Sequence, residues 1–163
     1  MVSFRPFWVG SFILLKVDLP SLLMVLSFTV NMVIGLFDPF EVPVPKEVGL
    51  FVLICGSLLF IYVLFYLRSG FFGETEPRLD SLITEGPYRF CRHPQYLSFI
   101  MMIFGFDLMF RSIIAIVFTL ALSIPSVVYR GKVEDRLLRK RFGEEWESYA
   151  EKVGFLFPKF RGK

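Results

Sequence analysis

The chain has 163 residues, room for one domain, and 55% of them are hydrophobic with a mean hydropathy of +0.60. That apolar share lies well above the about 45–50% of soluble folds, so a water-soluble globule is excluded and the 21 phenylalanines have lipid to face. The net charge of +3 is uneven, with ten of the 18 Lys and Arg falling from Arg130 onward, a distribution that suits anionic headgroups on a cytoplasmic face and not nucleic acid.

Two cysteines, Cys55 and Cys91, offer neither a metal spacing nor a disulfide framework and read as free thiols. The N-terminus lacks the small-residue cleavage site of a secretory signal peptide, so its apolar run is expected to stay as an anchor. Phe4 to Lys16 is apolar but shorter than the about 20 residues that cross about 30 Å of hydrocarbon. With Trp8, Arg5 and Lys16 it reads as an interfacial or partly inserted helix.

Leu19 to Phe37 is the first full-length span, with Pro20 in its first turn, where a missing N–H is harmless. Asn31 is its one strongly polar interior residue and is expected to hydrogen-bond another helix. Asp38 to Glu47 carries three prolines and predicts a stiff extended connection. Val48 to Leu67, twenty residues without a charge, is the second span, where Gly49, Gly56 and Ser57 would admit a close helix neighbour.

Between Arg68 and Arg92 the composition turns to Gly, Pro and mixed charge, the long loop of the chain and therefore a functional candidate. Tyr96 to Phe110 and Ile113 to Tyr129 follow as apolar segments separated only by Arg111 and Ser112, which predicts a tight helical hairpin. Pro125 is expected to break the hydrogen-bond ladder of the second arm. Asp107, an acid inside a span, is expected to pair with Arg111 one turn on. Past Tyr129, Val133, Leu137, Leu138 and Phe142 recur at helical spacing among basic residues. Gly143 is then a C-cap before a short helix over Glu144 to Val153 with Trp146, Tyr149 and Ala150 on one side. Phe155 to Pro158 closes the chain as an interfacial strip.

The fold class is thus an all-α integral membrane protein of about four to five transmembrane helices, with a C-terminal helical hairpin and a cytoplasmic amphipathic helical tail. Residues 1–67 are its N-terminal membrane helices and residues 68–163 its cofactor-binding catalytic region. Four spans put the N-terminus, the Arg68 to Arg92 loop and the basic tail on one side and leave Lys46 and Arg111 on the other. That split obeys the positive-inside rule with both termini cytoplasmic. Antiparallel arms also bring Gly86 to Tyr96, at the entrance of the third span, beside Arg130 and Glu134 at the exit of the fourth; the latter two are four apart and share a helix face.

The motifs Gly86-Pro87-Tyr88, Arg92-His93-Pro94-Gln95-Tyr96, Glu134-Asp135 and Phe142-Gly143-Glu144-Glu145-Trp146-Glu147-Ser148-Tyr149, in this order around a hydrophobic hairpin, resemble the isoprenylcysteine carboxyl methyltransferases and the related membrane phospholipid methyltransferases. The resemblance covers Asp80 to Pro158. It implies a pocket for S-adenosyl-L-methionine closed by the C-terminal elements, and a lipid or prenylated substrate entering from the bilayer. By position it implies cofactor contacts at Asp80, Ser81, Leu82, Ile83, Tyr88, His93, Pro94, Gln95, Tyr96 and Glu134. It implies a substrate-facing catalytic role for Arg130; no metal site and no nucleic-acid partner are expected. The family's usual pair of glutamates stands here as Glu134-Asp135, which puts a role at the second position in doubt.

These residue types suit that chemistry. The cofactor carries a sulfonium, an amino group, a carboxylate and an adenine, so it needs an acid, donors and an aromatic slot. Glu134 supplies the first, His93 and Arg92 the second, Tyr88 and Tyr96 the third. Methyl transfer is an in-line displacement dominated by positioning. A carboxylate acceptor is already ionised and can be fixed by Arg130, whereas an amine must lose a proton, for which His93 is the available base. Each residue also has a plainer role: His93 as a helix-start cap, Arg89, Arg92 and Arg130 as snorkelling anchors, and Tyr88, Tyr96, Trp8 and Trp146 as an aromatic belt. The sequence points to methylation of an isoprenylcysteine-like carboxylate. N-methylation of a phosphatidylethanolamine-type headgroup, a non-catalytic scaffold and a reductase-like relative with another cofactor are the alternatives.

Overall fold

The computed structural model describes residues 19–71 and 81–159; the expected helix over Phe4 to Lys16, Trp8 and Asp80 lie outside them. The described residues are helical apart from short connections. Helix α1 spans Leu19–Phe37, α2 Lys46–Phe71, α3 Pro94–Phe110, α4 Ile113–Phe118, α5 Ile124–Phe142 and α6 Glu144–Lys152. A 3₁₀ turn occupies Gly86–Arg89, and a π turn over Thr119–Ser123 joins α4 to α5. Among the described residues, two helices are long and apolar enough to cross a membrane, Lys46–Tyr66 and Ile113–Phe142, with α3 and Leu26–Phe37 as shorter apolar helices. Large apolar side chains stand outward on them, with Phe51 67% and Phe65 62% exposed, as lipid contact requires. The expected all-helical membrane protein is therefore present.

Helix α2 begins at Lys46, immediately after Pro45, with Glu47 in its first turn, where a negative charge complements the helix dipole. It extends to Phe71, four residues into the expected loop. Its pairing with α3 is backbone-close. A Cβ on Gly49 would fall 2.3 Å from the Met109 nitrogen, and one on Gly105 would fall 2.6 Å from the Leu53 nitrogen. Gly56 meets Met101 and Met102 in the same way. Gly49 and Gly56 thus admit the expected neighbour, with Gly105 as the answering small residue on α3, while Ser57 turns its hydroxyl to the Leu53 carbonyl.

The turn between α3 and α4 is as tight as expected. Arg111 takes a left-handed conformation (φ 59°), and the Ser112 hydroxyl accepts from the Ala115 N–H as the N-cap of α4. The proline-rich linker zips onto this turn: Val42 N–H donates to Arg111 O, Ile113 N–H donates to Phe40 O, and Asp38 accepts from Ser112 and the Ile114 N–H. Arg111 is thereby committed to Glu41, 2.8 Å away, and to the Val42 carbonyl.

Asp107 consequently does not pair with Arg111. Its carboxylate turns inward and accepts from Asn31 Nδ2 of α1 at 2.5 Å and from the Thr119 hydroxyl at 2.5 Å. Asn31 also reaches Thr119, as its expected interhelical role requires, and Ser27 bonds Ser123 one turn away. The π turn explains this register. Pro125 cannot donate to the ladder, and the wider turn just before it sets Thr119 and Ser123 facing Asn31 and Ser27. The expected break at Pro125 therefore takes the form of a π turn within one continuous rod.

Candidate functional site

The polar residues converge at the opposite end of the hairpin from Arg111, where α3 begins and α5 passes beyond the apolar stretch. Gly86 starts the 3₁₀ turn with φ 58°, a region that favours glycine, and lies flat against the Tyr66 ring, where a Cβ would come within 2.2 Å. The chain then passes through Cys91 into Pro94, the first residue of α3, where its missing N–H does no harm. Residues 153–155 run alongside: Arg92 N–H donates to Gly154 O and His93 N–H to Phe155 O. The backbone that holds His93 is thus fixed by the C-terminal segment.

Three side chains of this entrance, Arg92, His93 and Tyr96, link it to α5. Tyr96 Oη donates to Glu134 Oε2 at 2.9 Å. His93 Nε2 lies 2.8 Å from Asp135 Oδ1, and Arg92 Nη2 donates to Asp135 Oδ2 at 3.0 Å. His93 Nδ1 stands 3.8 Å from Glu134 Oε2, beyond hydrogen-bond length. Arg130, one turn before Glu134, adds a hydrogen-bonding charge at the Tyr96 hydroxyl. The expected juxtaposition of the Gly86 to Tyr96 stretch with Arg130 and Glu134 is realised.

His93 is almost fully buried, its ring 4.8 Å edge-on from Phe155 and 5.4 Å from Tyr96. Glu134 is 44% exposed, the open member of the group. Gly131 makes room for this packing, since a Cβ there would fall 2.7 Å from the Phe155 ring. Burial, with the negative charge of Glu134 nearby, pushes the Tyr88 hydroxyl up to about 12. Burial likewise raises the Tyr149 hydroxyl, which donates to the Tyr88 carbonyl at 2.7 Å, and the Cys91 thiol.

Several sequence expectations change here. Arg92 is consumed by the protein: Nη1 donates to Ala150 O and Val153 O, Nη2 to Asp135, and its guanidinium lies 5.5 Å from the Trp146 ring. It staples α6 to the hairpin and is not a free terminal donor for a ligand. Trp146 belongs to that staple, with its indole nitrogen buried, and not to an aromatic belt. Leu156 is a core residue against Tyr96 and Val127, so Phe155 to Pro158 is docked tail with Phe157 outward. Asp135, left in doubt by its shorter side chain, organises both Arg92 and His93. The signal available in the sequence was its position three residues before Leu138 on the helix face that carries Glu134, but only the docked entrance of α3 gives that face a partner.

Of the other expected site residues, Pro94 is buried, Gln95 is half-buried with its carbonyl accepting from Ser98, and Tyr88 is half-buried beside Glu134. Ser81 and Ile83 are exposed and Leu82 half-buried. The donor set fits an amino-acid-bearing sulfonium cofactor: a partly open acid at Glu134, aromatic faces at Tyr88, Tyr96 and Phe155, and two buried donors without a protein acceptor, Arg92 Nε and Trp146 Nε1.

A helical membrane protein with a polar site where a hairpin meets its C-terminal tail is the class so defined. The model of the phospholipid methyltransferase family matches residues 45–145, and the chain belongs to that family. It is 35% identical over 92 residues to the cobalt-zinc-cadmium resistance protein CzcN of Cupriavidus metallidurans, covering 52% of this chain and 40% of that protein. It is 37% identical over 81 residues to the nickel-cobalt-cadmium resistance protein NccN of Alcaligenes xylosoxydans xylosoxydans, covering 48% and 36%. It is 40% identical over 78 residues to a probable protein-S-isoprenylcysteine O-methyltransferase of Oryza sativa subsp. indica, covering 47% and 40%. The chain thus matches well under half the length of each of these relatives.

Proposed function

We propose that this protein is a multi-pass membrane methyltransferase that takes its methyl group from S-adenosyl-L-methionine and transfers it to the carboxylate of an isoprenylcysteine-like lipid. The observation that carries the reading is the junction of Tyr96 with Glu134 and of His93 with Asp135, which gathers an acid, aromatic walls and a cation at the end of an apolar hairpin. In this reading Tyr88, His93 to Tyr96 and Glu134 hold the cofactor, with Asp80 to Ile83 contributing from the preceding segment, and Arg130 orients the acceptor carboxylate. An ionised carboxylate needs no base, so alignment in a water-poor site supplies most of the acceleration. In this reading the site and both termini face the cytoplasm, which the distribution of positive charge supports.

N-methylation of a phosphatidylethanolamine-type headgroup is the second reading, favoured by the family's own description and by an imidazole held at Asp135. Calorimetry of S-adenosyl-L-methionine binding to the detergent-solubilised protein tests the shared part: heat is expected, diminished in Glu134→Gln, and no heat above that variant's would overturn the methyltransferase reading. Labelled-methyl transfer in membranes followed by mild base then separates the acceptors. An ester releases volatile methanol and a methylated amine does not.

A further inference from the structure

Helix α5 ends a 30-residue rod, Ile113–Phe142. At about 1.5 Å per residue the rod is about 45 Å long, whereas about 20 residues cross the hydrocarbon of a bilayer. Hydrocarbon that begins at Ile113 therefore ends near Lys132, and the last turns of α5 stand at the headgroups and beyond. Their two faces differ. Gly131, Glu134, Asp135, Leu138 and Phe142 lie on one side, buried or half-buried, where Gly131 meets Phe155 and the two acids meet the entrance of α3.

The opposite face is uncovered. Pro125 and Tyr129 are exposed on it within the apolar stretch, so lipid chains lie against them. Further along, the same face carries Val133 and Leu137 beside Lys132, Arg136 and Lys140, neighbours at three- and four-residue spacing. All three cations are exposed, and Leu137 is 61% exposed. The apolar residues expected on a single stripe are thus divided, Leu138 and Phe142 to the protein and Val133 and Leu137 to the other side. No carboxylate answers the three cations among the described residues. Glu134 and Asp135 are the acids of α5 and both sit on the docked face, while the neighbouring Arg139 is taken by Glu147 of α6 at 2.7 Å.

We propose that this outward face of α5 docks anionic phospholipid headgroups of the leaflet it leaves. Lys132, Arg136 and Lys140 take the phosphates, and Tyr129, Val133 and Leu137 lie at the boundary with the acyl chains. Position selects the occupant. Lipids packed on Pro125 and Tyr129 carry their headgroups to the level of Lys132, and the long basic side chains farther out reach back to them. A basic residue beside an anionic surface contributes about fivefold in affinity, so three acting together give on the order of 100-fold.

Native mass spectrometry of the detergent-solubilised full chain, mixed with equal amounts of phosphatidylglycerol and phosphatidylcholine, tests the surface. The wild type is expected to retain phosphatidylglycerol in large excess, and Lys132→Gln, Arg136→Gln and Lys140→Gln together should abolish the excess. Arg89→Gln, Lys152→Gln and Lys159→Gln together remove the same charge away from this face and should preserve it. Should the first triple variant fail to fold, Arg136→Gln alone is expected to lower the preference about fivefold. No preference in the wild type, or an equal loss in both triple variants, overturns the proposal. A poly-glutamate peptide that binds the wild type in place of the lipid, and not the first variant, overturns the lipid as occupant. The measurement needs neither cofactor nor methyl acceptor, so its outcome is independent of the methyltransferase reading.

Discussion

The Tyr96 hydroxyl, in the first turn of α3, donates to Glu134 on α5 at 2.9 Å, across 38 residues of sequence. This bond ties the entrance of α3 to α5 and orients an otherwise half-exposed carboxylate. Tyr96→Phe should cost about 0.5–1.5 kcal/mol of stability, the usual net value of one hydrogen bond. It should also weaken S-adenosyl-L-methionine binding, because Glu134 is released. Thermal unfolding in detergent and calorimetry check the two parts, and unchanged cofactor affinity would detach Tyr96 from the site.

The Arg92 staple makes a second expectation. Lysine lacks the planar fork that reaches Ala150 O, Val153 O and Asp135 together, so Arg92→Lys should loosen α6 and the tail nearly as much as Arg92→Ala. Limited proteolysis should then cleave near residues 150–159 faster in both variants. Equal protection of wild type and Arg92→Lys would show that point charge alone suffices.

Helix pairing ranks three glycines. A Cβ on Gly49 or Gly105 would fall 2.3 or 2.6 Å from backbone of the facing helix, which cannot step aside, whereas one on Gly56 would stay 2.9 Å from the Met101 Cβ and 3.0 Å from the Met102 nitrogen, a milder clash. Gly49→Ala and Gly105→Ala should each cost about 1–3 kcal/mol or more, and Gly56→Ala less. A melting series in one detergent orders them.

Inside the bundle, Asp107→Asn keeps one oxygen that accepts from Asn31 or Thr119, while Asp107→Leu removes both acceptors and leaves Asn31 and Thr119 only the bond between them. Interhelical bonds of this kind are worth about 0.6–2 kcal/mol each in membranes. The leucine variant should melt well below the asparagine variant.

Alkaline pH should destabilise the C-terminal region through Tyr88. Its folded-state value is raised from 10.0 to about 12 by burial and by Glu134, so its contribution is fully present below pH 10.0 and is lost as pH rises toward about 12. A shift of this size corresponds to at most about 3 kcal/mol. The Tyr149 shift has the same sign. Stability measured against pH in Tyr88→Phe should fall less steeply across that window.

Much of this protein was legible in its sequence because lipid imposes simple local rules. Uninterrupted apolar runs gave α1 its bounds and α2 to within a few residues, and a two-residue interruption at Arg111 and Ser112 dictated the hairpin. The hairpin in turn brought Gly86 to Tyr96 beside Arg130 and Glu134. Sequence spacing could not decide between partners equally distant along the chain and across space. Asp107 had Arg111 one turn away, yet the linker captured Arg111 and left Asp107 to Asn31 and Thr119. Arg92, Trp146 and Leu156 carried the composition of a ligand donor and a lipid interface until the tail folded back onto α3 and buried them. Asp135 gained its role only then, since one carboxylate less than a turn from Glu134 is unremarkable on a helix until His93 and Arg92 are brought against it. Local patterning determined which segments are helices, and three-dimensional competition for hydrogen-bond partners determined which side chains form the site.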